Sequence, residues 1–128
     1  MLDTVILNTQ YFYRCAIFSR LNNEIALADI ENPGQIMPLE RWMGVVISLA
    51  DGQHCISELI TYMAQQYPVP PENLEKTLHS VIDRMREGKL LKLSDEAVQL
   101  PYYLAEPIEN IDLVKAKKMI IEDGYGLH

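Results

Sequence analysis

The chain has 128 residues, 48% of them hydrophobic, and a formal net charge of −7 at pH 7. That size and apolar content suffice for one sizeable core, while the acidic balance repels polyphosphate at long range and argues against general nucleic-acid binding. No apolar run approaches the roughly 20 residues needed to cross a bilayer, the first ten residues lack the basic start and long apolar centre of a secretory signal, and a cytoplasmic protein is expected.

The N-terminal third has strand character. An apolar Val5-Ile6-Leu7 run in residues 4–7 fits either a further strand or an N-terminal arm. Residues 13–20 alternate Cys15 and Ile17 against Arg14, Ala16 and Phe18, and the following Leu21-Asn22-Asn23-Glu24 is a turn whose asparagines tolerate positive φ. Residues 25–30 return as a second strand. Glu31-Asn32-Pro33-Gly34 has turn chemistry, and Gln35-Ile36-Met37 forms a short third strand closed by Pro38. The expectation is a three-stranded antiparallel meander.

Helical spacing takes over at Leu39. Leu39, Trp42, Met43, Val46, Leu49 and Ala50 share one apolar face, with Trp42 filling the junction between helices and Gly52 placed to end the helix in a left-handed conformation. Ile56, Leu59, Ile60, Met63 and Tyr67 repeat the pattern until Pro68 and Pro70 forbid continuation. Pro71 suits a first helical position, after which Leu74, Leu78, Val81, Ile82 and Met85 form a third apolar face that Gly88 stops. Residues 90–93 and 97–100, joined by Ser94-Asp95-Glu96, read as a hairpin wing. The predicted fold is α+β and winged-helix-like: a three-stranded antiparallel sheet, three helices and a short hairpin wing in residues 1–100. Residues 101–128 form an appendage in which Ile111, Val114, Lys115, Lys118 and Ile121 suggest a short amphipathic helix.

Catalytic chemistry has little to build on. His54, Cys55, His79 and His128 lack the spacing of a metal site, and the carboxylates are dispersed. Cys15 and Cys55, in a strand-like and a helix-entry context, read as reduced packing residues rather than a disulfide framework. A Cys55–His79 nucleophile pair is conceivable, but Cys55 stands where a helix-entry cap belongs. Neither a metal nor a cofactor is expected, and the chain reads as no enzyme. Arg84, Arg86, Lys89 and Lys92 gather at the end of the third helix and the start of the wing, where some winged helices meet DNA; the same cations also complement a helix C-terminus.

The order of elements, with Ala50-Asp51-Gly52 leading into Ser57-Glu58-Leu59-Ile60 and then Arg86-Glu87-Gly88-Lys89-Leu90-Leu91, resembles the PqqD-like family over residues 11–95. That family comprises the pyrroloquinoline quinone biosynthesis chaperone and the recognition domains for ribosomally made, post-translationally modified peptides. Where the family has Leu-Asn ahead of its first helix, this chain has Met37-Pro38-Leu39. The resemblance implies a non-enzymatic chaperone that binds the leader of a precursor peptide by edge-strand addition and delivers it to a modifying enzyme, often of the radical S-adenosylmethionine type. It implies a peptide-binding edge at Gln35, Ile36 and Met37 and a wall from the third helix, including Leu78, Val81 and Met85. Arg84 or Lys76 would meet an acidic leader. Three alternatives stand beside it: a DNA-binding winged-helix regulator, a structural or dimerisation subunit using residues 101–128, and a precursor with its own recognition domain and a modifiable end at 125–128. A homodimer is compatible with these readings; a membrane partner is not.

Overall fold

The structure, a computed structural model, describes residues 8–123. The expectations placed on residues 4–7 and 125–128 lie outside the described residues. In chain order the elements are β1 (Tyr11–Arg14), β2 (Phe18–Leu21), β3 (Glu24–Asp29), β4 (Asn32–Pro38), α1 (Arg41–Leu49), β5 (Asp51–Cys55), α2 (Ile56–Gln65), α3 (Leu74–Glu87), β6 (Leu91–Ser94), α4 (Tyr102–Ala105), a 3-10 turn (Ile108–Asn110) and α5 (Leu113–Asp123). The fold is α+β, with two three-stranded antiparallel sheets, ordered β5-β1-β6 and β2-β3-β4.

The meander forms, with shifted boundaries. Asn22 and Asn23 take φ of 55° and 67° and close a two-residue loop between Leu21 and Glu24, the backbone that short asparagine side chains tolerate best. The predicted single strand over 13–20 breaks at residues 15–17, and its first half leaves as β1 for the other sheet. Nothing punctuates this corner in sequence, because the alternation runs straight through it. The second turn tightens onto Ile30-Glu31, between paired Asp29 and Asn32, so β4 begins before the predicted third strand.

The hairpin wing does not form. β6 pairs with β1 in continuous register from Tyr11↔Ser94 to Arg14↔Leu91, and residues 97–100 adopt no strand. They lie instead beside β5, where the Val98 N–H donates to Gly52 O at 2.9 Å. A distant strand has taken the partner that local turn chemistry would have supplied. Gly52 has the expected left-handed backbone, φ 81°, but inside β5 rather than at a helix end. The third helix begins at Leu74, not at Pro71, whose carbonyl accepts the Leu74 N–H from the preceding turn. Trp42 is half-buried at the rim of the core instead of filling a helical junction, and its indole N–H donates to Tyr67 Oη at 2.8 Å.

Opposed residues of a sheet share a face, which gives the meander two different surfaces. Phe18, Ile25, Leu27 and Met37 lie on one face; Ile17, Ser19, Ala26, Ala28 and Ile36 lie on the other. Phe18 and Ile25 pack into the main core with Val46, Ile47, Leu59, Leu78, Ile82 and Met85 of the helices and Phe12 and Leu91 of the first sheet. Residues 101–123 are more than a trailing helix. Tyr103, Leu104, Ile108, Ile111, Ala116 and Ile120 bury a second core against Ile17, Ala28 and Ile30. The meander is thus sandwiched between the helices and the C-terminal segment, and among the described residues no helix is long and apolar enough to cross a membrane.

Candidate functional site

A three-stranded sheet has two edges, and here they differ. At the β2 edge the Glu109 carboxylate takes hydrogen bonds from the Ser19 hydroxyl and, at 3.0 Å, from the Arg20 backbone N–H. A donor that a docking strand would use is already taken. Burial raises the affinity of Glu109 for its proton, but hydrogen bonds from the Ser19 hydroxyl, the Arg20 N–H and its own backbone outweigh it and hold its pKa below the ordinary 4.5. Because the folded pKa is depressed, this contact contributes stability above the unfolded value and loses it as pH falls through the folded one. Acidification below about pH 4.5 should therefore shift the Ser19 and Arg20 amide resonances together. In Glu109→Gln that acid step should disappear, and its persistence would place the titrating group elsewhere.

The β4 edge has no such cover among the described residues. Along β3 the Ala28 N–H donates to Ile17 O, while Ile25 O accepts from the Leu39 N–H at 3.4 Å. Residues 25 and 27 therefore point their backbone toward β4, and Met37, opposite Leu27, points back at them. Ile36, one residue away, turns its N–H and C=O outward. The accessible stretch is short, because Pro33 and Pro38 have no N–H to offer. Met37 and Ile36 leave 64% and 45% of their surface in solvent, unusually high for apolar strand residues. With Leu27, Ala28, Asp29, Gly34 and Gln35 they line an open hollow along the strand.

Gln35, Ile36 and Met37 are thus brought together as an exposed edge, but the predicted wall is not. Leu78, Val81 and Met85 are at most 3% exposed, consumed by the main core, and cannot touch a ligand. Their helix packs against α1, α2 and β6. Arg84 is exposed on that helix, while Arg86 is engaged by Asp83 at 3.2 Å. Lys76 stands on the same helix in a hollow that also holds Glu72, Glu75 and Asp83, so acidic neighbours surround it.

The side chains considered for chemistry are occupied separately. His79 Nε2 meets Asn8 Oδ1 at 2.8 Å, His54 Nδ1 meets Asp51 Oδ1 at 2.8 Å, and Cys55 Sγ meets Ser57 Oγ at 3.1 Å. Cys55 is the N-cap residue of α2, and its N–H is held by Glu58 at 2.9 Å. That backbone bond, then the Cys55 side chain, lowers the Glu58 pKa. Among the described residues no three His, Cys, Asp or Glu side chains converge as a metal site.

Two residues central to this arrangement carried no sequence signal. Glu109 is one carboxylate among many until the fold lays it along β2. Arg14 is one residue of a smooth alternation in sequence, yet it is 3% exposed, its guanidinium bonded to carbonyls of both α1 and the C-terminal segment. Compared with known proteins, the chain matches no family model, no curated protein and no solved structure.

Proposed function

We propose that the chain is a non-enzymatic peptide-binding module of the PqqD-like kind, which takes the leader of a precursor peptide as an added strand on β4 and presents it to a modifying enzyme. In this reading α1, α2 and α3 with the β5-β1-β6 sheet are the winged-helix-like frame, and the meander is the recognition element. One observation carries it: β4 keeps the Ile36 N–H and C=O pointing outward beside exposed Ile36 and Met37, while the β2 edge is closed by Glu109. Unpaired edge groups are a hazard that proteins ordinarily cover, so an apolar edge left open in a chain that closes its opposite edge favours use of that edge.

Main-chain bonds to the peptide replace bonds to water and contribute only about 1 kcal/mol each, so apolar side chains must set affinity. Titrating the labelled chain with an extended synthetic peptide of alternating threonine and valine should shift the amides of Leu27, Ala28, Gln35, Ile36 and Met37. Shifts confined to β6 and residues 101–123 would show that β4 is not the docking edge.

A second reading, a subunit that pairs through α5, has Val114 and Ile121 behind it, exposed seven residues apart on one helical face. It requires a concentration-dependent mass in light scattering that Val114→Glu abolishes.

A further inference from the structure

The predicted third-helix wall is buried, which leaves the peptide groove without an obvious second side. The C-terminal segment supplies one. Between the meander and that segment lies a cavity of about 200 Å³, lined by Cys15, Ile17, Ala28, Asp29, Ile30, Tyr103, Leu104 and Ile120. It shares Ala28 and Asp29 with the hollow along β4, so the two recesses are neighbours at the end of β3. Ala28 is small and half-buried at this point, and its paired neighbour Ile36 stands on the same face of the sheet.

We infer that this cavity is the anchor pocket of the edge-bound peptide and receives one large apolar side chain, aromatic or branched aliphatic. The inference rests on the proposed docking at β4 and adds the chemistry that selects the peptide. Three observations carry it. An apolar cavity of about 150 Å³ is enough to hold benzene, so this one accommodates a phenyl ring or an isobutyl group. Its lining is aliphatic and aromatic apart from Cys15 and Asp29, and most of it comes from elements locked in the second core, so the pocket is preformed and little ordering opposes binding. It also adjoins, through Ala28 and Asp29, the hollow along the only strand edge, among the described residues of the meander, that keeps outward backbone groups open.

Asp29 adds a constraint on the neighbouring peptide residue. Among the described residues it is the only charged side chain lining either recess, and one of its oxygens is held by the Glu31 N–H at 2.9 Å. An acidic residue next to the anchor is repelled, and a basic one is favoured. This reverses the acidic leader that Arg84 and Lys76 implied, because those side chains belong to α3 rather than to this rim.

Cys15 provides a reporter inside the pocket. In a Cys55→Ser background, where serine keeps the helix cap, alkylation by iodoacetamide reads Cys15 alone. The probe is a synthetic dodecapeptide of alternating threonine and valine that carries one phenylalanine beside one lysine, compared with the same peptide bearing alanine for the phenylalanine. The phenylalanine peptide should bind at least tenfold more tightly and slow Cys15 alkylation at least fivefold, while both peptides shift the amides of residues 35–37. Equal affinities with Cys15 unprotected, but with those amide shifts present, would overturn the anchor pocket and leave the edge reading standing. Absence of shifts at 35–37 with either peptide would overturn both. Protection of Cys15 by decanoic acid and by neither peptide would assign the cavity to a lipid tail and likewise overturn the proposal.

Discussion

Arg14→Ala is expected to cost about 3–5 kcal/mol and to detach the C-terminal segment before the helices melt. The guanidinium donates to Leu104 O at 2.7 Å, Ala105 O at 3.0 Å and Ile47 O at 2.9 Å, with longer contacts to Ala50 O at 3.4 Å and Ser48 O at 3.5 Å. It also lies 4.2 Å from the centroid of the Phe18 ring. One planar fork thereby adds charged donors to the carbonyls at the C-terminus of α1 and clamps α4 onto them. Burial pulls the Arg14 pKa down to about 10, against the opposing pull of Asp51, and it remains charged at pH 7. Truncation removes the guanidinium donors from Leu104 O and Ala105 O, leaves Ile47 O and Ala50 O with only their backbone donors, and opens a void beside Phe18. For a domain of this size the midpoint of thermal unfolding should fall by roughly 10–20 °C. Amide exchange in residues 102–120 should become fast while α1 to α3 stay protected. Arg14→Lys should rescue little, since an ammonium cannot reach both groups of carbonyls in one plane. A melting midpoint within about 3 °C of wild type would contradict the clamp, being under 1 kcal/mol for a domain of this size.

Gly52→Ala should be the second severe substitution. A Cβ at this position would stand 2.1 Å from Val98 O and 3.0 Å from Val98 C, and the backbone has φ 81°. Left-handed backbone costs an L-residue about 1–2 kcal/mol, and displacing residues 97–100 from β5 adds to it, for a total of about 2–4 kcal/mol. Gly52→Asn separates the two causes. Asparagine tolerates the left-handed region, so if backbone conformation alone mattered it would be much milder than alanine. The clash with Val98 predicts that it is no better, and that both variants lose amide protection at Val98. A well-tolerated Gly52→Asn would leave conformation as the whole effect.

What could be read from sequence follows from how local each cause is. The apolar spacing of Val46, Leu59, Leu78, Val81, Ile82 and Met85 reports helices because its period belongs to one element at a time. Asn22-Asn23 reports its turn for the same reason. Strand partners are decided between distant segments: residues 13–20 alternate smoothly although the chain changes sheet within them, and Leu91 finds Arg14 rather than residues 97–100. The strand holding Gln35, Ile36 and Met37 is legible because turn and proline signals bracket it, while its use as an edge comes only from the family resemblance. The wall was not, because a helix face that looks amphipathic does not say whether its apolar side meets a ligand or a core. Arg14 hides for a further reason: arginine is rarely buried, and only the convergence of two sets of carbonyls makes its burial tolerable here.

The direct test of the docking edge is the affinity of Ile36→Pro for the phenylalanine-bearing synthetic dodecapeptide, measured by titration calorimetry next to Ile36→Val. The Ile36 N–H faces away from β3, so the proline ring removes a donor on the open side without breaking a bond inside the meander. Loss of that bond and obstruction by the ring should weaken binding at least tenfold, about 1.4 kcal/mol or more. Ile36→Val should bind within about threefold of wild type, since it keeps the N–H and most of the apolar surface. Equal affinity of Ile36→Pro and wild type, with unchanged thermal stability, would contradict edge-strand addition at β4.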